Sequence, residues 1–195
     1  ETYVTPGDRA DTGRSLMWTS TDDYRTLQGP VDVTFHIPGA KFDGSSDDGG
    51  RPHTAMRLHR RVIELPGGDL LTTLYGWLQG DSEPSGYTAT MMKTRCMLLR
   101  STNRGRHWEL VSTIAVDPNV GTEGFDEPAL ARVSKGARQG RLICQMRTGR
   151  ELREAISDDE GRTWSAHRPR LFADIDVYRT DLWADLFRGF KRNNQ

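Results

Sequence analysis

The sequence predicts an all-β protein assembled from repeated units, and three observations predict it. The octapeptide at residues 157–164, Ser157 through Asp159 and Gly161 to Trp164, has a near copy at residues 101–108, Ser101 through Asn103 and Gly105 to Trp108. Both read Ser-x-Asp/Asn-x-Gly-x-x-Trp, and each follows a short apolar run. The composition agrees: 20 Gly and 5 Trp in 195 residues, with only 35% hydrophobic residues, describe a turn-rich chain.

The octapeptide has a physical reading. Asp and Asn side chains bond their own backbone, and Gly supplies a positive φ, so the first five residues suit a tight turn. The Trp then returns to bury a large ring with its N–H near an acceptor. Such a unit is a self-locking hairpin corner, in which Asn103 and Asp159 serve structure. A reduced third copy at residues 20–26 keeps Ser20 and Asp22, but Tyr24 stands where Gly is expected and no Trp closes it.

Taken in order, residues 1–30 read as polar and turn-rich. Residues 31–37 alternate apolar and polar, as a half-buried strand does. Residues 39–52, with Asp47 and Asp48 among glycines, read as a solvated loop, since no full oxygen-ligand pattern for calcium follows. The first repeat then places strands at 61–65, 69–75, 95–100 and 108–116, with Pro66-Gly67-Gly68 as a turn and 80–86 as a polar loop. In the second repeat 129–133 matches 61–65, 142–146 matches 70–74, and 152–156 enters the second octapeptide. Four short strands per repeat is the plan of a propeller blade. Leu182, Trp183, Leu186, Phe187 and Phe190 recur at helical spacing, which predicts an amphipathic helix over about 181–192, packed against the blades.

Charge and cysteine content exclude several classes. Lys and Arg number 27 against 27 Asp and Glu, so no general nucleic-acid or membrane-surface role is supported. No apolar run reaches the length of a membrane helix. Cys96 and Cys144 read as buried free thiols in corresponding runs of the two repeats. The five His show no metal-ligand spacing, and no cofactor motif is present, so neither metal nor cofactor is expected.

The octapeptides resemble the Asp box of sialidases and related β-propellers, where the box is structural and lies away from the catalytic face. The resemblance covers most of residues 55–170. It implies a sialidase-like propeller of the six-bladed type, here an incomplete set of about three blades plus the short C-terminal helix. Clear blades are expected at about 55–118 and 122–172, within one partial domain over 1–195. A propeller needs about four to eight blades to close, so the missing ones are expected from the rest of a longer chain or from a partner.

The segment from Glu127-Pro128-Ala129-Leu130 to Arg147 is similar to the sialidase pattern in which a Glu opens an inner strand and an Arg ends the next. By that resemblance Glu127 assists a catalytic Tyr and Arg147 joins an arginine clamp on the substrate carboxylate. Residues 58–65 partly match an Arg-Ile-Pro motif whose Arg belongs to the same clamp, though Ile-Pro is absent. Arg60 is favoured over Arg61, because Arg61, Ile63 and Leu65 share a strand face by period two and look packed. Asp81 stands where the family places its acid/base Asp.

The chemistry is sensible: guanidinium forks bind carboxylates bidentately, and a carboxylate can accept a proton from a phenol. The plain structural reading of the same residues is surface charge, with Glu127 paired to Arg147 or Arg132. The resemblance therefore implies an exo-sialidase-like glycosidase acting on a glycan or sialoglycoconjugate in a secreted or periplasmic setting, with little activity in this chain alone. Tyr178 and Arg179 do not match the family's remaining Tyr and Arg. The alternatives are a non-catalytic carbohydrate-binding or scaffold propeller, and a glycosidase or lyase of other sugar specificity.

Overall fold

A computed structural model describes residues 2–42, 47–48, 51–52, 56–86 and 91–170. The expected helix at 181–192, with Tyr178 and Arg179, lies outside the described residues. The described residues are all-β. Two short strands, β1 (Thr2–Tyr3) and β2 (Thr5–Pro6), precede a long hairpin of β3 (Thr12–Thr19) and β4 (Gln28–His36). A two-residue pair follows, β5 (Asp47–Asp48) with β6 (Arg51–Pro52). The first repeat folds as β7 (Arg57–Glu64), β8 (Leu70–Gly76), β9 (Arg95–Ser101) and β10 (His107–Ala115), each antiparallel to the next. The second folds as β11 (Asp126–Arg132), β12 (Leu142–Arg147), β13 (Leu152–Ser157) and the short β14 (Arg168–Pro169).

The strands expected from apolar alternation all form. Residues 1–30, however, are not simply turns, because β3 spans eight of them. Its side chains alternate between half-buried and exposed, with Leu16 and Trp18 both half in solvent, so little apolar patterning marks it. Between β3 and β4 the reduced octapeptide forms the same corner as the other two. Ser20 donates to Asp22 Oδ1 at 2.8 Å, and the Tyr24 and Thr26 amides donate to Ser20 Oγ and Asp22 Oδ1, each at 2.9 Å. This hairpin thus repeats the outer half of a repeat: third strand, corner, fourth strand. It joins the first repeat through a parallel pairing of β4 with β10, Phe35 opposite Trp108, to make one eight-stranded sheet.

The core lies on both faces of the first repeat. In β9, Cys96 and Leu98 face the second repeat and pack with Ile114, Phe125, Leu130, Leu142 and Met146. Met97 and Leu99 face the N-terminal hairpin and pack with Val33, Phe35, Leu74 and Trp108. A strand covered on both sides reads as a continuous apolar run, which is what residues 96–99 are. The two thiols do not occupy corresponding runs: Cys96 is on the third strand of its repeat and Cys144 on the second of the other. Both are free and buried in the core between the repeats.

The octapeptides fasten this arrangement. At the second, Ser157 donates to Asp159 Oδ1 at 2.7 Å and accepts from the Gly161 amide at 2.8 Å, while the Thr163 amide caps Asp159 Oδ1 at 3.0 Å. The first repeats these bonds with Ser101, Asn103, Gly105 and His107 at 3.0, 2.9 and 2.9 Å. Trp108 and Trp164 each donate their indole N–H to the carbonyl of the corner glycine, at 2.9 and 3.2 Å. The second corner also reaches across to the first repeat, where Ser112 donates to the Gly161 carbonyl at 2.6 Å. Corner and neighbouring unit are built as one joint.

Candidate functional site

The segment from Glu123 to Glu127 opens the second repeat, and its backbone is firmly held. The Thr94 amide and hydroxyl donate to the Glu123 carbonyl at 2.9 and 3.1 Å, and the Phe125 amide donates back to Thr94 at 2.9 Å. Gly124 packs so closely on the Thr94 backbone, at φ 87°, that no side chain fits there. Asp126 then pairs with Arg147 across β11 and β12, and the next paired residue is Ala129 with Gln145. One extra residue on β11 makes a bulge, and Glu127 takes φ 40° within it. A strained non-glycine backbone at a bulge is a common way to re-aim a side chain.

The result is an arginine ringed by acids. Arg147 Nε donates to Glu127 Oε2 at 2.8 Å, and its Nη2 lies 2.7 Å from Glu123 Oε2 and 3.2 Å from Asp126 Oδ2. Arg147 keeps 43% of its side chain exposed, while Glu123 and Asp126 keep 14% and 7%. Burial pushes the Asp126 carboxyl up to about 9, aided by the Glu123 hydrogen bond and the charges of Glu123 and Glu127 and opposed by Arg147. Arg147 itself is raised: the three carboxylates outweigh the burial that opposes its charge.

Asp81 stands just beyond β8, at the same end of the first repeat as Thr94. Burial pushes its carboxyl up, but the Arg95 hydrogen bonds, the Leu78 amide and the Arg95 charge outweigh this and hold it below the usual range. Arg95 grips it with Nε to Oδ2 at 2.7 Å and Nη2 to Oδ1 at 2.5 Å, and the Leu78 amide donates to Oδ2 at 2.8 Å. A cavity of about 330 Å³ beside it is lined by Glu83, Lys93, Thr94 and Asp117 among others.

Arg60 belongs to β7, next to His59, whose Nδ1 lies 3.3 Å from the Pro128 carbonyl of the second repeat. The period-two argument that favoured Arg60 fails in its detail. A bulge between His59 and Ile63 breaks the alternation, so Arg61 is exposed while Ile63 and Leu65 are buried. The structure therefore brings Glu127 and Arg147 into contact and puts Asp81 on the adjoining loop through Thr94. Glu123 and Asp126 were missed: three acids within five residues stand in the sequence, but nothing there shows that they meet one arginine.

No protein-family model and no curated protein matches the chain. Solved structures do match. A protein of unknown function from Dyadobacter fermentans superposes with TM-score 0.53 at 22% identity, covering 80% of this chain and 38% of that one. A variant of the NanB sialidase from Streptococcus pneumoniae superposes with TM-score 0.52 at 17% identity, covering 86% of this chain and 20% of that one. The shared fold is a β-propeller, of which this chain makes part. At these identities the likeness concerns the fold alone, and the chain spans well under half the length of either structure.

Each repeat, with its fastened corner, has the four-strand plan of a propeller blade, and the N-terminal hairpin extends the first repeat's sheet through β4. Among the described residues no group of three or more His, Cys, Asp or Glu is arranged to hold a metal ion. What the site offers chemically is a half-exposed guanidinium with a preset orientation, beside a carboxylate on a strained bulge.

Proposed function

We propose that the chain contributes to an exo-sialidase-like glycoside hydrolase that releases a terminal acidic sugar from glycans. The observation that carries this reading is Arg147, exposed at the end of β12 and oriented by Glu127 at 2.8 Å, in a fold shared with a sialidase. A buried counter-ion ring keeps a guanidinium charged and fixed, which is what recognition of a sugar carboxylate requires. In this reading Arg147 and Arg60 bind the carboxylate, and Glu127 takes the proton of a catalytic Tyr. Asp81 acts as acid/base once ligand binding loosens its pair with Arg95, because a general acid must hold its proton near neutral pH. The Tyr, the third Arg and the remaining blades of a six-bladed ring come from sequence beyond these residues or from a partner.

A second reading is favoured by one observation. The closed Asp81–Arg95 pair suits a carbohydrate-binding or scaffold propeller that has no acid to offer. Release of a fluorescent phenol from a sialic acid conjugate by the full-length protein separates the two. The enzyme reading expects turnover, with Glu127→Ala and Arg147→Ala each lowering kcat/KM by roughly 100-fold or more. No turnover by folded protein removes the sialidase reading and leaves the propeller. Turnover unchanged in both variants removes the site assignment.

A further inference from the structure

We propose that Glu123 and Asp126 are positioning residues for Arg147, acting together as a carboxyl–carboxylate pair that aims the guanidinium at an anionic ligand. The inference rests on the reading that Arg147 binds a ligand carboxylate, and it names two residues that no sequence pattern assigned to the site.

Three observations carry it. Arg147 Nη2 is shared by Glu123 Oε2 and Asp126 Oδ2 while Nε is held by Glu127, so Nη1 is the edge left for a ligand. Asp126 Oδ1 is buried and meets no donor among the described residues. Glu123 Oε2 and Asp126 Oδ2 converge on Nη2, so two carboxyls crowd a single N–H edge in a buried setting, and a proton kept by one of them relieves the crowding. Charge counting gives the same answer. Three ionised carboxylates around one guanidinium leave a net charge of about −2 in a half-buried site, which proteins avoid by retaining a proton.

The other titratable groups facing the pair do not remove the demand. Cys96 is held neutral, first by burial and further by Cys144 and Asp126, so it brings no charge to the pair. His59 Nδ1 lies 3.3 Å from the Pro128 carbonyl, and His167 lies tilted against Phe125 and pairs with Asp117. Thr94 and Thr148 fix the Glu123 backbone, so the pair cannot relax by moving its loop.

The consequence is a sign. With the proton in place the ring carries one negative charge fewer, and a ligand carboxylate approaches Arg147 more easily. As pH rises through the titration of Asp126, pushed up to about 9, the ring gains that charge and ligand binding weakens. At roughly 6 Å and an effective dielectric of about 40, between protein surface and bulk water as suits a half-exposed guanidinium, one added charge costs about tenfold in affinity.

The experiment reads the pair and the ligand separately. Side-chain carboxyl ¹³C NMR over pH 3–11, with near-UV circular dichroism to confirm folding, should show one aspartate titrating near 9 that disappears in Asp126→Asn and moves to lower pH in Glu123→Gln. All aspartates titrating in the ordinary carboxylate range would overturn the proposal, whatever the sugar does. Arg147 side-chain NMR shifts with added N-acetylneuraminic acid should then report roughly tenfold weaker binding at pH 10 than at pH 7. That pH dependence should vanish in Asp126→Asn, which keeps the neutral geometry. Binding that is equal at both pH values in the wild type overturns the positioning role. No Arg147 response at any pH, beside an aspartate titrating near 9, overturns the carboxylate-binding reading and not the proton-sharing pair.

Discussion

At the scale of single residues, the hairpin corner shows which parts of its motif the backbone demands. Two consecutive left-handed residues turn the chain in all three copies: Asp23 and Tyr24, Arg104 and Gly105, Glu160 and Gly161. Tyr24 adopts φ 64° where the others use Gly at 81° and 86°, and its ring is 85% exposed. It bears the left-handed strain with its side chain in solvent. Tyr24→Gly should therefore stabilise the protein by about 0.5–1 kcal/mol, the relieved strain less the extra freedom of an unfolded glycine. Urea denaturation reads this as a higher midpoint at unchanged m, and a lower midpoint would show that Tyr24 supports the corner. The acceptor at the third position matters more than its charge. Asn103 makes the bonds that Asp159 makes, although bonds from Thr163 and Ser157 hold the Asp159 carboxyl far below its usual range.

At the scale of elements, the second corner is a joint between blades. A Cβ on Gly161 would fall inside the van der Waals envelope of Leu98 Cδ2, which is itself fully buried, and φ is 86°. Gly161→Ala should cost about 2–4 kcal/mol, combining backbone strain with overpacking. Gly68→Ala is the control, since Gly68 has φ 88° and no atom within 4 Å of its added carbon. It should cost only about 1 kcal/mol by the same denaturation assay. Equal losses would mean that the corner is strained but not wedged.

The elements also show what sequence could reveal. Where burial is two-sided or strictly alternating, as in β9 and β12, the strands were legible within a residue or two. β3 was not, because its partners leave Leu16 and Trp18 half in solvent and its pattern carries no core signal. The Glu127–Arg147 contact was legible, because Glu127 stands near the start of one strand and Arg147 at the end of the next. Glu123 and Asp126 were not, because their meeting at Arg147 depends on a loop clamped by Thr94 and on a bulge. The same limit explains Arg61, whose predicted face was turned outward where β7 carries two more residues than β8 between paired positions.

At the scale of the whole molecule, the first blade is the common wall of two cores, one shared with the second blade and one with the N-terminal hairpin. Cys96 and Cys144 sit in the first of these, fully buried and on different blades. Burial, the neighbouring Cys144 and the charge of Asp126 all push the Cys96 thiol well above its ordinary range, so it offers almost no thiolate to a reagent. Iodoacetamide should then label the two sulfurs at one common rate, set by how often the blades part, and Gly161→Ala should quicken both together. Prompt labelling of either sulfur in the native protein would contradict this. The seam between the blades thus carries a built-in stopwatch for its own breathing.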